Sequence, residues 1–147
     1  MQKRIEDGAL LTLLADVDVV LDCSDNFATR HALNRACVRQ KKPLVSGAAL
    51  RFDAQVAVFD ARKPDAPCYA CLYPDDGAIE EAQCSTMGVF APLTGVVGAL
   101  QAMEAVKLLT GAGQTLNGRL LLLDAKQSEW RTVRVKRDPA CPICAAG

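Results

Sequence analysis

Apolar positions at the start of the chain recur at helical spacing, through Ile5, Leu10, Leu13 and Leu14, and predict a helix from about Ile5 to Ala15. The pattern then changes. Val17-Asp18-Val19-Val20-Leu21-Asp22-Cys23 is a short, nearly continuous apolar run, as expected of a parallel strand buried on both faces. Ser24-Asp25-Asn26 places three N-cap formers in a row, so a helix is expected from Asn26 to Lys41, ended by Pro43. Leu44 to Leu50 and Gln55 to Phe59 read as second and third strands. Strand, helix and strand in such close succession form a βαβ unit, and the sheet is expected to begin parallel.

From Asp60 to Gln83 the chain turns polar, proline-containing and acidic (Asp75, Asp76, Glu80, Glu81), which predicts a long surface loop. A second loop after Cys84 leads into a helix from about Thr94 to Thr110. That helix is apolar nearly all round until Glu104 and Lys107, which predicts an interior position, and Gly111 and Gly113 close it. Asn117-Gly118 is a turn signal before a strand from Arg119 to Asp124. Trp130 to Val135 alternates as an edge strand would, and the tail carries Cys141-Pro142-Ile143-Cys144.

The 147 residues fit a single domain, and a hydrophobic fraction of 50% is enough to bury a core. Lys+Arg and Asp+Glu balance at 17 each, so no basic excess argues for nucleic acid, and the few aromatics weaken a base-stacking role. No basic-then-apolar N-terminus marks a signal peptide. Cys84 to Met103 carries no formal charge and is long enough to span a bilayer. Its Pro92, its three glycines and its polar Ser85, Thr86, Thr94 and Gln101, without a flanking basic cluster, favour a loop followed by a buried helix.

Seven cysteines are many for a chain of this kind, and four of them form two Cys-x-x-Cys pairs. Cys68 and Cys71, with Cys141 and Cys144, have the spacing that closes a tetrahedral thiolate zinc site and ties an internal loop to the C-terminal region. Four thiolates leave no open position, so this zinc is expected to be structural. The competing reading is a redox dithiol. Such motifs sit at helix N-termini, however, whereas both pairs here are expected in loops beside prolines. Reduced thiols and metal ligation point to the cytoplasm.

Asp25-Asn26-x-x-x-Arg30 directly follows the first strand. In an open α/β sheet that position faces ligands, the helix N-terminus suits phosphate, and a carboxylate there can hold Mg²⁺. Arg30 lies about a turn further on. Capping by Asp25 and a solvated Arg30 explain the same residues equally well. Cys84, unpaired by spacing, is either a thiolate nucleophile or sulfur carrier in a loop, or an inert thiol. Cys23 and Cys37 are read as buried and inert, and the single histidine, His31, as packing or surface.

Asp22-Cys23-Ser24-Asp25-Asn26 with Arg30 resembles the D-x-x-D-N-x-x-x-R segment of the ThiF/MoeB/HesA enzymes, relatives of the ubiquitin-activating enzymes. The likeness continues through Pro43-Leu44-Val45-Ser46-Gly47-Ala48-Ala49 and Pro67-Cys68-Tyr69-Ala70-Cys71-Leu72. It runs on through Gly88 to Gly98 into Gln101-Ala102-Met103-Glu104-Ala105, and ends at Cys141 and Cys144. It covers nearly the whole chain in the family's order. The resemblance implies Mg-ATP-dependent adenylation of the C-terminal glycine of a ubiquitin-like sulfur-carrier protein, with a Gly-Gly tail, for molybdopterin or thiamine biosynthesis. It implies a magnesium and phosphate role for Asp25, a place lining the nucleotide site for Asn26 and Arg30, and the crossover-loop cysteine position for Cys84. In the ThiF branch that cysteine takes part in sulfur transfer, and in the MoeB branch it is dispensable for adenylation. A homodimer is implied as well.

The family's Gly-rich phosphate loop, ribose-binding acid and N-terminal Arg and Lys groups lie upstream of the match to Met1. No G-x-G-x-x-G follows a strand here, and the family's glycine before Gln55 is Ala54. The expected fold is therefore α/β, a partial Rossmann-like mixed sheet with a four-cysteine zinc site and without the N-terminal nucleotide-binding half. Residues 1–147 are expected to be the C-terminal portion of an adenylation domain, inactive or incomplete alone. A non-catalytic zinc-stabilised scaffold, docking a carrier or dimerising through the Thr94–Thr110 helix, is the alternative.

Overall fold

A computed structural model describes residues 7–76 and 87–145. The described chain runs α1 (Asp7–Leu14), β1 (Val20–Asp22), α2 (Phe27–Gln40), β2 (Pro43–Leu50), β3 (Asp53–Asp60), α3 (Tyr69–Leu72), α4 (Ala91–Thr110), β4 (Arg119–Asp124) and β5 (Glu129–Arg134). The strands form one sheet in the order β1-β2-β3-β4-β5.

β1 pairs with β2 in parallel, Val20 opposite Leu44 and Asp22 opposite Ser46, as the βαβ pattern predicts. It is shorter than the apolar run suggests, because its pairing with β2 is confined to Val20–Asp22, leaving Val17 to Val19 before it and Cys23 after it. β2, β3, β4 and β5 pair antiparallel, so the sheet is mixed. The orientation of β3 follows from its connection. Only Arg51 and Phe52 separate Leu50 from its partner Asp53, too few for a parallel crossover, and Arg51 takes φ 53° to close the turn. Ala54 lies inside β3 opposite Ala49, beyond the turn residues.

The sheet has a helix layer on each face, and β2 is buried on both: Leu44 is 1% exposed and Val45 0%. On one side Val20, Leu44, Ala57, Phe59 and Leu120 pack with Leu10 and Leu14 of α1, Cys37 of α2 and Tyr69. On the other, Val45, Val56, Val58 and Leu123 pack with Leu93 and Val97 of α4. The two buried clusters lie on opposite faces because side chains alternate along each strand.

Three expectations need correction. The stretch from Asp60 to Gln83 is not simply a surface loop. Cys68, Tyr69 and Ala70 are buried around α3, and Tyr69 meets the rings of Phe59, His31 and Tyr73 at centroid distances of 5.8, 5.3 and 5.2 Å. An aromatic of that size gains more from the core than the polar loop around it can oppose. The rest of that stretch, Gly77 to Gln83, lies outside the described residues.

α4 starts at Ala91 rather than Thr94, since Pro92 is tolerated in a first helical turn, and it ends at Gly111 with φ 72°. It is not interior. Leu93, Val97, Gln101, Glu104 and Ala105 are buried, but Val96, Met103, Val106 and Leu109 face outward. By length and composition α4 could cross a bilayer, yet its buried side lies on β2 and β3 and its Glu104 pairs with Lys107.

Candidate functional site

The cap of α2 settles which residue does what at the end of β1. Asn26, extended at φ −141° and ψ 146°, accepts the Thr29 N–H at 2.8 Å. Asp25 is therefore not the cap. Its carboxylate is exposed at the carboxyl end of β1, beside the positive end of the α2 dipole, with Asn26 Nδ2 donating to it at 3.4 Å.

The preceding residues are pinned. Asp22 is 1% exposed, and its Oδ1 accepts from the backbone N–H and hydroxyl of Ser24 at 2.9 and 2.6 Å. Arg30, 6% exposed, donates from Nη2 to the Ser24 carbonyl and, at 3.2 Å, to the Gly47 carbonyl of β2. The solvated-face reading of Arg30 is thus wrong. To touch an anion beyond Asp25, its guanidinium would have to release those carbonyls. From the other face Gln101, 2% exposed, donates to the Asp22 and Val45 carbonyls at 2.8 and 3.1 Å.

Cys23 is not a buried strand thiol. It follows β1, is exposed, and donates to Gln101 Oε1 at 3.4 Å. Cys37 is buried as expected, and burial, with the Asp22 charge adding to it, pushes its thiol up to about 12, an inert group at neutral pH. Cys84 lies outside the described residues.

The four paired cysteines converge. Their sulfurs all lie within 4.8 Å of one another, with Cys68–Cys141 at 3.7 Å, Cys68–Cys71 at 3.9 Å and Cys71–Cys144 at 3.5 Å. A tetrahedral ion with metal–sulfur bonds of about 2.3 Å spaces its ligands about 3.8 Å apart, so the cluster could bind a metal. One point differs from expectation. The first pair is not in a loop, since Cys68 is the N-cap residue of α3 and Cys71 its third residue.

Donors are aimed at the sulfurs. Asn34 Nδ2 donates to Cys68 at 3.5 Å, and the N–H groups of Cys68 and Asp138 donate to Cys71 at 3.5 and 3.4 Å. Such N–H···S bonds steady thiolate ligands. Burial pushes the Cys68 and Cys71 thiols up, whereas at Cys141 hydrogen bonds outweigh burial and lower the thiol, and a divalent cation would replace the protons at each.

The residue pattern that defines the ThiF family matches residues 1–143. The chain belongs to the ThiF family. Among curated relatives, it is 44% identical over 141 residues to the molybdopterin-synthase adenylyltransferase of Salmonella typhimurium, covering 96% of this chain and 56% of that one. It is 44% identical over 144 residues to the sulfur carrier protein ThiS adenylyltransferase of Escherichia coli, covering 98% and 56%. The chain thus spans about half the length of the curated relatives it matches. Among solved structures, Escherichia coli MccB with ATP superposes with a TM-score of 0.76 at 20% identity, over 99% of this chain and 45% of that one, a likeness of fold.

Within this ThiF-family chain, sequence reasoning missed the residues that join the two sites to the fold. Asn34 is 1% exposed on α2, one turn from Arg30. Its Oδ1 accepts the Tyr69 N–H at 2.9 Å while its Nδ2 reaches Cys68. The signal available for it was a polar residue on the buried stripe of a helix. His31 is packing, 5% exposed, 6.2 Å from the Phe27 ring and 5.3 Å from that of Tyr69.

Proposed function

We propose that this chain takes part in the ATP-dependent adenylation of the C-terminal glycine of a ubiquitin-like sulfur-carrier protein, in molybdopterin or thiamine biosynthesis. The observation that carries this reading is the Asp25 carboxylate. It stands exposed at the carboxyl end of a parallel strand and at a helix N-terminus, while Asn26 does the capping. That is where an open α/β sheet receives a nucleotide. The relatives of about 44% identity, both named adenylyltransferases, support the same chemistry.

Asp25 would hold the magnesium of Mg-ATP, with Asn26 beside it. When bound, Mg-ATP supplies the α-phosphorus that the carrier's terminal carboxylate attacks, pyrophosphate leaving. This chain's own part is to fix one carboxylate where charge must be neutralised and to position it through Asp22, Arg30 and Gln101. Cys84 is proposed as the loop cysteine of the same enzyme.

We assign zinc to Cys68, Cys71, Cys141 and Cys144, as a closed structural ion, because four convergent thiols suit a tetrahedral soft-ligand site better than a dithiol. We also propose a cytoplasmic homodimer in which a second copy covers the outward stripe of α4, where Met103, Val106 and Leu109 are 57, 57 and 58% exposed.

ATP–pyrophosphate exchange with a cognate carrier and Mg²⁺ tests the function. Exchange by the chain, lost in Asp25→Asn, supports it. Absence of exchange in a folded, zinc-loaded chain would sink catalysis by this chain alone, leaving a zinc-stabilised scaffold that docks the carrier or a portion whose catalytic half lies elsewhere.

A further inference from the structure

We propose that Gln101 is a positioning residue for Asp25, holding from the α4 side the Asp22–Ser24 segment that presents the carboxylate. This rests on the nucleotide role given to Asp25 above. Gln101 sits on the buried side of α4 among Leu93, Val97 and Ala105, and burying a primary amide there is costly unless it is fully bonded. It is. Nε2 donates to the Asp22 carbonyl at 2.8 Å and to the Val45 carbonyl at 3.1 Å, while Oε1 accepts the Cys23 thiol at 3.4 Å.

The geometry is specific to the end of β1. Asp22 is the last residue of that strand, and Val45 lies opposite Leu21 on its parallel neighbour. One side chain therefore bridges the two strands at the point where the Asp25 loop departs. Space for it is made by Gly47, where a Cβ would stand 2.4 Å from Gln101 Cδ and Oε1. Arg30 does the matching work from the α2 side, joining the Ser24 carbonyl to that of Gly47. The segment before Asp25 is thus tied to β2 from both faces of the sheet. Packing alone does not require this, since a methionine would fill the same volume.

The test uses the full chain, ¹⁵N-labelled, with zinc bound. Gln101→Met keeps the bulk and deletes the hydrogen bonds. The amide signals of Ser24 and Asp25 should shift, their hydrogen exchange should speed up by about tenfold or more, and Mg-ATP affinity read on those signals should fall by about tenfold. Zinc content should stay at the wild-type level. Leu93→Ala removes packing from the same helix and should lower the melting temperature while leaving Ser24 and Asp25 where they are. Gly47→Ala, whose Cβ would meet the Gln101 amide at 2.4 Å and Val97 Cγ1 at 2.7 Å, should reproduce the Gln101→Met shifts and serves if that variant does not fold. Unchanged signals and exchange in Gln101→Met, or equal shifts in Leu93→Ala, overturn the proposal. Shifts in Gln101→Met with no response of wild type to Mg-ATP would uphold the positioning and overturn nucleotide binding by this chain alone instead.

Discussion

Asn34 joins the cysteine cluster to the helix that begins just after Asp25, and its two ends can be tested apart. The Tyr69 N–H needs an acceptor in the core, which fixes Oδ1 toward Tyr69 and Nδ2 toward Cys68. Asn34→Ala removes both bonds. The stranded Tyr69 N–H costs about 1–3 kcal/mol and the lost N–H···S contact adds to that, so unfolding free energy should fall by about 2–4 kcal/mol. A domain of ordinary stability, about 5–15 kcal/mol, survives this. Asn34→Asp is the sharper variant, since it keeps the acceptor for Tyr69 but turns a donor toward Cys68 into a carboxylate oxygen. Zinc affinity should then drop about 10–100-fold, the usual effect of losing a bond that orients a ligand. Urea unfolding at fixed zinc gives the first quantity, and competition against a chelating dye gives the second. If Asn34→Asp holds zinc as tightly as wild type, the amide does not support the cluster and the reasoning fails.

Two further predictions follow from burial and exposure. Burial holds the His31 pKa below its usual 6.5, against the pull of Asp75, whose carboxylate is 3.9 Å away. The folded chain therefore binds this proton less readily than the unfolded chain, and the His31 contribution is complete above 6.5 and lost as pH falls below it. The melting temperature should decline between about pH 7 and about pH 5, and part of that decline should vanish in His31→Asn, as scanning calorimetry would reveal. A steeper decline in the variant would contradict it. On α4, Met103→Lys with Val106→Lys should convert a dimer to monomers by sedimentation at unchanged thermal stability, whereas an unaltered dimer places the interface elsewhere.

Much of the fold is legible wherever a pattern spans several residues. β1, α2, β2 and β3 appear within a few residues of their predicted bounds, because an apolar run, cap formers and a terminating Pro43 reinforce one another. The antiparallel turn after Leu50 is readable from its length alone. α3 is not, since Tyr69-Ala70-Cys71-Leu72 is too short to show a period, and it is buried by tertiary contacts such as those with Phe59 and His31. The choice between Asp25 and Asn26 as cap is also hidden, because both residue types cap well and the decision lies in the backbone angles of residue 26. The interior reading of α4 failed for a related reason. Composition reports that a helix is apolar, but which side finds a sheet depends on what else lies beside it.

The site shows where local reading stops. The four cysteines announce themselves because their chemistry is carried by type and spacing. The residues that aim Asp25 do not, because their partners are backbone carbonyls, which every residue has. Gln101 reaches Asp22 and Val45 across 79 and 56 positions of sequence, and Arg30 reaches Gly47 across 17. What marks them is a conflict. A polar side chain sits on the buried side of a helix, as Gln101 does between Val97 and Ala105, where an apolar residue would be cheaper. Such a residue is tolerated only if the fold supplies partners, and partners supplied at the end of a strand hold that end in place. Buried polar residues facing strand ends are therefore the ones to test first for an indirect hold on the ligand site. In this chain Gln101 and Arg30 meet that description around one three-residue segment, Asp22 to Ser24.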